Sequence, residues 1–302
     1  MCLRRLQYMK IAYLMLVHKN FNQIKLLTDQ LADELTHVYI HVDKKNEELF
    51  DELKNEYIDN ENVIVIDNRV NVNWSGFSQV QATLNLMESA LDNNNFKFEY
   101  ISLISGQDFP IKSNDYIRKF LSDNNGNQFI QYRDINNDKK FLFRLKIYNF
   151  FRENPNARKT YIKIVDNILR RLQKLVIKRK NLEGFNLYTG SQWFTLSREC
   201  IEYIFKYLEE NNKYLLDFKY TFCPDEEFFQ ILILNSKFKE KVINDNLRYI
   251  DWDGCYSSPK TLGVDDIEKM KSSNKHLARK IDMDFDSKII SELRSYIESS
   301  EI

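Results

Sequence analysis

An acidic stretch at the expected start of a helix is the first place where this sequence could carry chemistry. Pro224, Asp225, Glu226 and Glu227 directly precede an apolar run at 228–234. Proline in the first turn and acids near a helix N-terminus are common features of helix starts. A carboxylate in this position could also act as a general base that takes the proton of an attacking hydroxyl. Both interpretations stay open at this point.

Two adjacent cations near the end of the chain are the second candidate. Arg279 and Lys280 lie at the end of an apolar stretch. Such pairs are most often surface charges. Beside a nucleotide, however, they could neutralise a diphosphate leaving group, a task that other enzymes give to a divalent metal ion.

The sequence offers few metal ligands where a nucleotide site would need them. Many nucleotide-sugar transferases carry Asp-x-Asp at the end of a central strand, but the strand expected at 100–104 continues toward a single carboxylate, Asp108. Asp251 and Asp253 have the required spacing but lie late in the chain. The four cysteines form no CxxC pair and have no metal-ligand spacing. We therefore expect no metal cofactor, and thiols that stay reduced.

Composition narrows the class of protein. Lys and Arg total 44, as do Asp and Glu, so the formal net charge of zero argues against a whole-protein basic field for nucleic acid. With 43% hydrophobic residues, the 302-residue chain can bury a core as one large domain or two small ones. The longest apolar run, at 11–17, is too short to span a bilayer. No signal peptide is evident, so we expect a cytoplasmic protein, with contact at the inner face of the membrane as an option.

Strands and helices are predicted to alternate along the first 135 residues, and these elements must position the candidate residues. Ser75 and Ser113 resemble helix N-caps, and another helix should begin near residue 21. Strands are predicted at 11–17, 38–42, 63–66, 100–104 and 128–132. This alternation predicts an α/β sheet with right-handed crossovers, whose ligands sit at the carboxyl ends of the strands. His18, Asp43 and Asp108 follow three of those ends.

The segment 158–180 has a different character. It contains nine Lys or Arg residues against one acid, Asp166, and its apolar residues share one helical face. This pattern is typical of an amphipathic helix on an anionic membrane surface. It also fits a solvated helix whose apolar face packs on the domain, and we favour this second interpretation.

Six short motifs occur in an order that resembles the core-2/I-branching β-1,6-N-acetylglucosaminyltransferase family and its relatives, the peptide O-xylosyltransferases. The motifs are Ile40-His-Val-Asp43-Lys-Lys, Asn73-Trp74-Ser-Gly-Phe-Ser, Ser102-Leu-Ile-Ser-Gly-Gln-Asp-Phe-Pro-Ile-Lys112, Gly190-Ser-Gln-Trp-Phe194, Pro224-Asp-Glu226 and Ala278-Arg-Lys280. Each is weak alone, but the ordered series is specific and spans about residues 9–286. The resemblance implies a GT-A type nucleotide-sugar transferase fold, with a Rossmann-like mixed sheet flanked by helices.

The resemblance also implies how the chain is organised. It would form one domain over 1–302, with a nucleotide-binding half at about 9–135 and an acceptor and catalytic half at about 136–286. A C-terminal helix would follow at 287–302. The implied enzyme is inverting and independent of metal.

Residue roles follow from the same resemblance. Glu226 would be the catalytic base, and Arg279 and Lys280 would hold the diphosphate of UDP. Lys260 is a loose counterpart of a further cation in the branching enzymes. The other implied UDP-sugar ligands are Val17, His18, Asp43, Trp74 and Asp108. The residues implied to face the transferred sugar or the acceptor are Ser191, Gln192 and Trp193.

The sequence therefore predicts a glycosyltransferase that moves a sugar from a UDP-sugar to a hydroxyl of a glycan or glycolipid. UDP-N-acetylglucosamine is the favoured donor and UDP-xylose the runner-up, because the xylosyltransferases carry an acid where this chain has Gln192. A non-catalytic nucleotide-binding or surface-assembly protein is the alternative. Against it, a simple binder needs no base at Glu226.

Overall fold

Short apolar runs form the centre of a seven-stranded mixed sheet. The computed structural model describes residues 9–299 apart from 155, 158, 177–178 and 255–257. Arg158 and Lys178 of the basic segment, Cys255 and the last three residues of the predicted C-terminal helix thus lie outside the described residues. Strand β1 pairs in parallel with β2 on one side and β4 on the other. The expected α/β class and the mixed sheet flanked by helices are confirmed.

The elements alternate along the first half of the chain as predicted. The strands are β1 Ile11–Val17, β2 Thr36–Val42, β3 Val63–Val65, β4 Tyr100–Ser105, β5 Asp108–Pro110, β6 Gln128–Asp134, β7 Tyr188–Ser197, β8 Val242–Ile243, β9 Arg248–Ile250 and β10 Leu277–Arg279. The helices are α1 Phe21–Leu31, α2 Glu47–Glu56, α3 Ser78–Asp92, α4 Asn114–Asp123, α5 Lys139–Lys146, α6 Thr160–Val176, α7 Arg198–Glu210, α8 Asn212–Phe218, α9 Phe228–Leu234, α10 Ile267–Ser272 and α11 Ile289–Ser299. A 3₁₀ turn, Pro224–Glu226, precedes α9.

Strand β7 makes the sheet mixed. The strand order is β3-β2-β1-β4-β7-β6-β8, and β7 runs antiparallel to both of its neighbours. Because β7 comes from the second half of the chain and lies between two strands of the first half, both halves build one sheet. Alternate side chains of β1 enter hydrophobic clusters on opposite faces: Leu14 lies in one, Tyr13 and Met15 in the other. This two-sided burial explains why the central strands are continuously apolar.

A smaller three-stranded sheet, ordered β5-β10-β9, carries the late cation pair. Strand β10 is antiparallel to β5, and this register places Arg279 opposite Asp108. The pairing brings the end of the chain to the carboxyl end of β4. Sequence spacing gives no sign of this contact, because 171 residues separate the two partners.

One of the predicted helix N-caps differs from the structure. Ser113 and Ser197 cap α4 and α7 through their hydroxyls, as N-cap residues do. Ser75 is not an N-cap: its φ is 63°, and helix α3 begins three residues later, at Ser78. Ser75 instead sits in a tight loop, where its backbone N–H donates to the side chain of Gln79 at 2.7 Å.

Helix α6 turns its apolar side outward, so the favoured interpretation of the basic segment is wrong. The exposed apolar side chains are Tyr161, Ile164, Val165, Ile168 and Leu172. Polar residues hold the other side onto the domain. The Gln173 side chain both accepts from and donates to the backbone of Tyr148, at 2.7 and 2.9 Å, and Asp166 is buried. These contacts fix the inner face and leave the apolar face without a partner among the described residues.

Candidate active site

A cleft of about 1650 Å³ opens at the carboxyl ends of the parallel strands. Val17 and His18 line it from the end of β1, Asp43 from the end of β2 and Ser105 from the end of β4. Ligands of open α/β sheets bind at this edge. Most of the predicted site residues meet here. Those that line the cleft are Val17, His18, Asp43, Trp74, Ser191, Gln192, Trp193, Glu226 and Arg279.

Asp43 is held rigidly at the mouth of the sheet. Its carboxylate accepts backbone N–H bonds from Lys45 at 3.1 Å and Val72 at 3.2 Å. Its own N–H donates to the carbonyl of Val17 at 2.9 Å. The carboxylate thus joins the loops after β1, β2 and β3, and its position does not depend on a ligand.

His18 stands beside Asp43 in a cationic environment. Partial burial lowers the pKa of its imidazole, and the charge of Lys19 acts in the same direction. Lys280 and Arg279 add to this effect, while Asp43 opposes it. The imidazole is therefore neutral at pH 7, able both to donate and to accept a hydrogen bond.

Arg279 is the best-positioned cation of the cleft. Its guanidinium donates to the Ser105 hydroxyl and to Asp108 Oδ1, the latter at 3.1 Å, and lies 4.2 Å above the Trp193 ring. Asp108 is fully buried, and its second oxygen accepts the N–H of Ser105 at 2.6 Å. Asp108 therefore acts on the cleft by positioning Arg279 and does not line it.

The two lysines among the predicted site residues, Lys260 and Lys280, differ in their ion pairs. Lys260 Nζ lies 2.6 Å from Asp266 Oδ1, so its charge is already paired. Lys280 makes no ion pair with any described residue, and its charge reaches His18. Neither ammonium lines the cleft in this structure. Of the two, Lys280 is therefore the lysine whose charge has no ion-pair partner in the described part of the chain.

Glu226 is the accessible member of the acidic stretch. The turn that carries it starts at Cys223, whose φ is 51° and whose N–H donates to the carbonyl of Ser75 at 3.1 Å. Glu226 Oε2 accepts a hydrogen bond from Arg144 at 2.7 Å, and 38% of its side chain is exposed. One carboxylate oxygen is thus fixed by Arg144, and the group still faces the cleft.

The two acids beside Glu226 are buried. Burial, together with the charge of Glu226, raises the pKa of Asp225 to about 7. Burial also raises the pKa of Glu227 well above its usual range, and neither carboxyl oxygen of Glu227 has a hydrogen-bond partner within the described chain. Burial thus favours the neutral form of both Asp225 and Glu227, and Glu226 is the member of the three whose carboxylate is the most exposed.

Arg248 and a group of three further arginines were not predicted from the sequence. Arg248 is buried beneath the cleft and donates to the Ser102 hydroxyl and the carbonyl of Leu103, both at 2.7 Å. Burial lowers its pKa to about 10, and Asp108 partly offsets this. The sequence carries one sign of this residue, because Arg248 is the single charged residue of the short strand β9. The group of three, Arg144, Arg152 and Arg170, lines the cleft near Glu226.

Comparisons with known proteins extend this description. Xylosyltransferase 1 of Mus musculus is 26% identical over 313 residues, which cover 95% of this chain and 30% of that protein. Xylosyltransferase 2 of Homo sapiens is 28% identical over 251 residues, covering 82% and 27%. This chain therefore spans about a third of the length of the curated relatives it matches.

Two solved structures resemble this one loosely. Mouse xyloside xylosyltransferase 1 aligns over 89% of this chain and 97% of its own, with 12% identity and a TM-score of 0.38. The 4-diphosphocytidyl-2C-methyl-D-erythritol synthase of Anaerococcus prevotii aligns over 87% and 95%, with 13% identity and the same TM-score.

The family assignment comes from a match over most of the chain. The model of the Core-2/I-Branching enzymes matches residues 11–274. This range holds five of the six motifs quoted above, from β2 to the turn that bears Glu226. The chain belongs to the core-2/I-branching enzyme family, a family of glycosyltransferases.

Proposed function

We propose that this chain is an inverting, metal-independent glycosyltransferase that moves a sugar from a UDP-sugar to a hydroxyl of a glycan or glycolipid. One observation carries the proposal. The residues that match the family motifs come from distant parts of the chain, and Asp43, Trp74, Glu226 and Arg279 nevertheless line one cleft. A base and a diphosphate-binding cation in the same cleft are the two groups that such a transfer requires.

The proposed reaction is a single displacement. The acceptor hydroxyl attacks the anomeric carbon from the face opposite UDP, and Glu226 takes the hydroxyl proton. The bond between the anomeric carbon and the UDP oxygen breaks, and its electron pair leaves with UDP. Arg279 and Lys280 would neutralise the charge that develops on the diphosphate. The configuration at the anomeric carbon is inverted because the exchange occurs in one step.

The choice of donor rests on a few residues. UDP-N-acetylglucosamine is the favoured donor, since this chain has Gln192 where the xylosyltransferases carry an acid. The names of the curated relatives favour UDP-xylose as the second candidate. Both donors present the same diphosphate to Arg279, so the difference must come from side chains near the sugar.

Release of UDP tests the function directly. The purified protein is expected to release UDP from UDP-N-acetylglucosamine, or failing that from UDP-xylose, with equal rates in the presence and absence of EDTA. The reason is that Arg279 and Lys280 replace the metal. Binding of UDP without turnover of either sugar would favour the non-catalytic alternative. Activity that collapses in EDTA and returns with manganese would contradict metal independence and direct attention to Asp251 and Asp253.

Helix α6 supports a proposal about location as well. Its exposed apolar side chains form one stripe, with Lys159, Lys163 and Arg171 exposed nearby. An amphipathic helix of this kind lies flat on a membrane, with its apolar face below the headgroups. Among the described residues, no helix is long and apolar enough to cross a bilayer. We therefore propose peripheral contact of the segment 158–180 with an anionic membrane surface, at the inner face of the membrane.

Co-sedimentation with vesicles tests this contact. We expect binding to vesicles that contain phosphatidylglycerol but not to pure phosphatidylcholine, because each cation near an anionic surface contributes about 1 kcal/mol. High salt should weaken binding, and Ile168→Asp should abolish it. Ile58→Asp is the matched control, since Ile58 is an exposed apolar residue in the turn after α2, away from helix α6 in the sequence. Absence of sedimentation at low salt, or equal loss in both variants, would contradict the proposal.

A further inference from the structure

Three guanidinium groups surround one aromatic ring in the second half of the cleft. The central carbons of Arg152, Arg144 and Arg170 lie 4.5, 5.3 and 5.8 Å from the ring centroid of Phe222. All three side chains line the cleft that contains Glu226. We call Arg144, Arg152 and Arg170 the arginine cluster.

The arginine cluster holds more positive charge than its own carboxylates neutralise. Asp166 forms ion pairs with two of these arginines. Its Oδ2 lies 3.2 Å from Arg152 Nη2 and 4.0 Å from Arg170 Nη1. Arg144 uses Glu226 as its partner. Lys163, which also lines the cleft, pairs with no acid of the described chain. These four cations therefore share the ion pairs of two carboxylates, one of which is the proposed base, and the third acid of this part of the cleft, Asp225, has a pKa that is raised to about 7.

Hydrogen-bonding capacity in the arginine cluster is also unused. The Nε atoms of Arg152 and Arg170 are buried and have no partner in the described part of the chain. Burial lowers the pKa of Arg152, and the nearby charge of Arg170 adds to the effect. Crowding like charges around partly unpaired donors costs free energy. An anion bound at the guanidinium groups that face the cleft would reduce the repulsion between these charges.

Geometry places the cluster on the acceptor side of the reaction. In a displacement with inversion, the base and the acceptor lie on the face of the sugar opposite the diphosphate. The arginine cluster touches the proposed base through the bond between Arg144 and Glu226. It shares no contact partner with Arg279, which is held by Ser105, Asp108 and Trp193. A group bound to the cluster is therefore part of the acceptor and not of UDP.

We propose that the arginine cluster is a subsite for an anionic group, a phosphate or a carboxylate, carried by the acceptor. This inference rests on the proposed function and names its acceptor class. Guanidinium groups suit this role because their planar N–H pairs match carboxylate and phosphate oxygens. Trp74 is 67% exposed, and its ring centroid lies 6.1 Å from that of Phe222. It adds an aromatic surface for the neighbouring sugar.

The anion has two possible sources, which paired soluble probes separate. A phosphate at the reducing end is represented by N-acetylglucosamine 1-phosphate, with methyl N-acetylglucosaminide as its neutral partner. A carboxylate on an acidic sugar is represented by methyl glucuronide, with methyl glucoside as its neutral partner. Dissociation constants are measured by calorimetry with UDP present, so that the diphosphate site is already filled.

We expect the anionic member of at least one pair to bind about tenfold or more tightly than its neutral partner, as a charge-assisted hydrogen bond allows. Arg152→Gln and Arg170→Gln should each remove most of that preference. Arg171→Gln is the matched control, because Arg171 is exposed on the same helix and does not line the cleft. Thermal unfolding and UDP binding confirm that each variant is folded. If Arg152→Gln unfolds because Asp166 loses its closer ion-pair partner, Arg170→Gln still tests the inference.

Equal binding of the members of both pairs would overturn the inference, as would a preference that survives both glutamine variants. The proposed function is tested separately by UDP release. Release of UDP without an anion preference refutes the subsite alone. An anion preference without release of UDP from any donor refutes the proposed function.

Discussion

Glu226→Gln is expected to lower sugar transfer by about 10²–10⁴-fold, the usual contribution of one general base. The substitution keeps the shape of the side chain, and the amide oxygen can still accept the hydrogen bond from Arg144 that the carboxylate accepts at 2.7 Å. UDP binding should be unchanged, because Arg279, the proposed diphosphate cation that lines the cleft, is held by Ser105, Asp108 and Trp193 and not by Glu226. Single-turnover transfer and calorimetry with UDP measure the two quantities.

Glu227→Gln is the matched control for this experiment. Glu227 is the next residue in the chain and is fully buried, and burial raises its pKa well above the usual range. Because burial favours the neutral acid at this position and the side chain does not line the cleft, a neutral amide should lower transfer far less here than in Glu226→Gln. Near wild-type transfer in Glu226→Gln, or an equal loss in both variants, would mean that Glu226 is not the base.

Much of the sheet could be predicted because its strands carry local signals. The run Ile11–Val17 is apolar since both faces of β1 are covered, and Ser113 and Ser197 cap helices as their types suggest. Ser75 failed as an N-cap because its loop is stabilised by one contact within the local sequence and one from a distant turn. Cys223 donates to its carbonyl, and Gln79 accepts from its N–H.

Other features depend on contacts that no local pattern encodes. Strand β7 inserts between β4 and β6, and this long-range pairing joins the two halves of the chain. The outward apolar face of α6 follows from polar anchors such as Gln173, whereas helical periodicity reports only that one face is apolar. The bond between Arg144 and Glu226 spans 82 residues. The motifs therefore indicated Glu226, the proposed base, while only the fold reveals the cations beside it.

Lys280→Gln is expected to raise the KM for the UDP-sugar and also to lower kcat, with a combined loss in kcat/KM of about 10- to 100-fold. A cation on the diphosphate stabilises the bound donor, and it stabilises the transition state further as charge builds on the departing UDP. The range corresponds to one charge-assisted hydrogen bond. Initial rates over a series of donor concentrations, at saturating acceptor, separate the two constants.

Lys280 is a cleaner target than Arg279. Removing Arg279 would break the ion pair of the buried Asp108 carboxylate, and the loss of a buried partner destabilises a fold strongly. Lys280 pairs with no described residue, and its structural bond is a backbone one, from the N–H of Leu262 to its carbonyl at 2.9 Å. The variant should therefore keep its melting temperature while losing donor affinity.

Lys260→Gln provides the comparison that identifies the diphosphate cation. Lys260 and Lys280 both lie near the bridge between Leu262 and Ile281, but the Lys260 ammonium is already held 2.6 Å from Asp266. Its charge is thus largely satisfied, and we expect a smaller effect on donor kinetics than in Lys280→Gln. A larger effect at Lys260, or an effect of Lys280→Gln on acceptor kinetics alone, would move Lys280 out of the donor site.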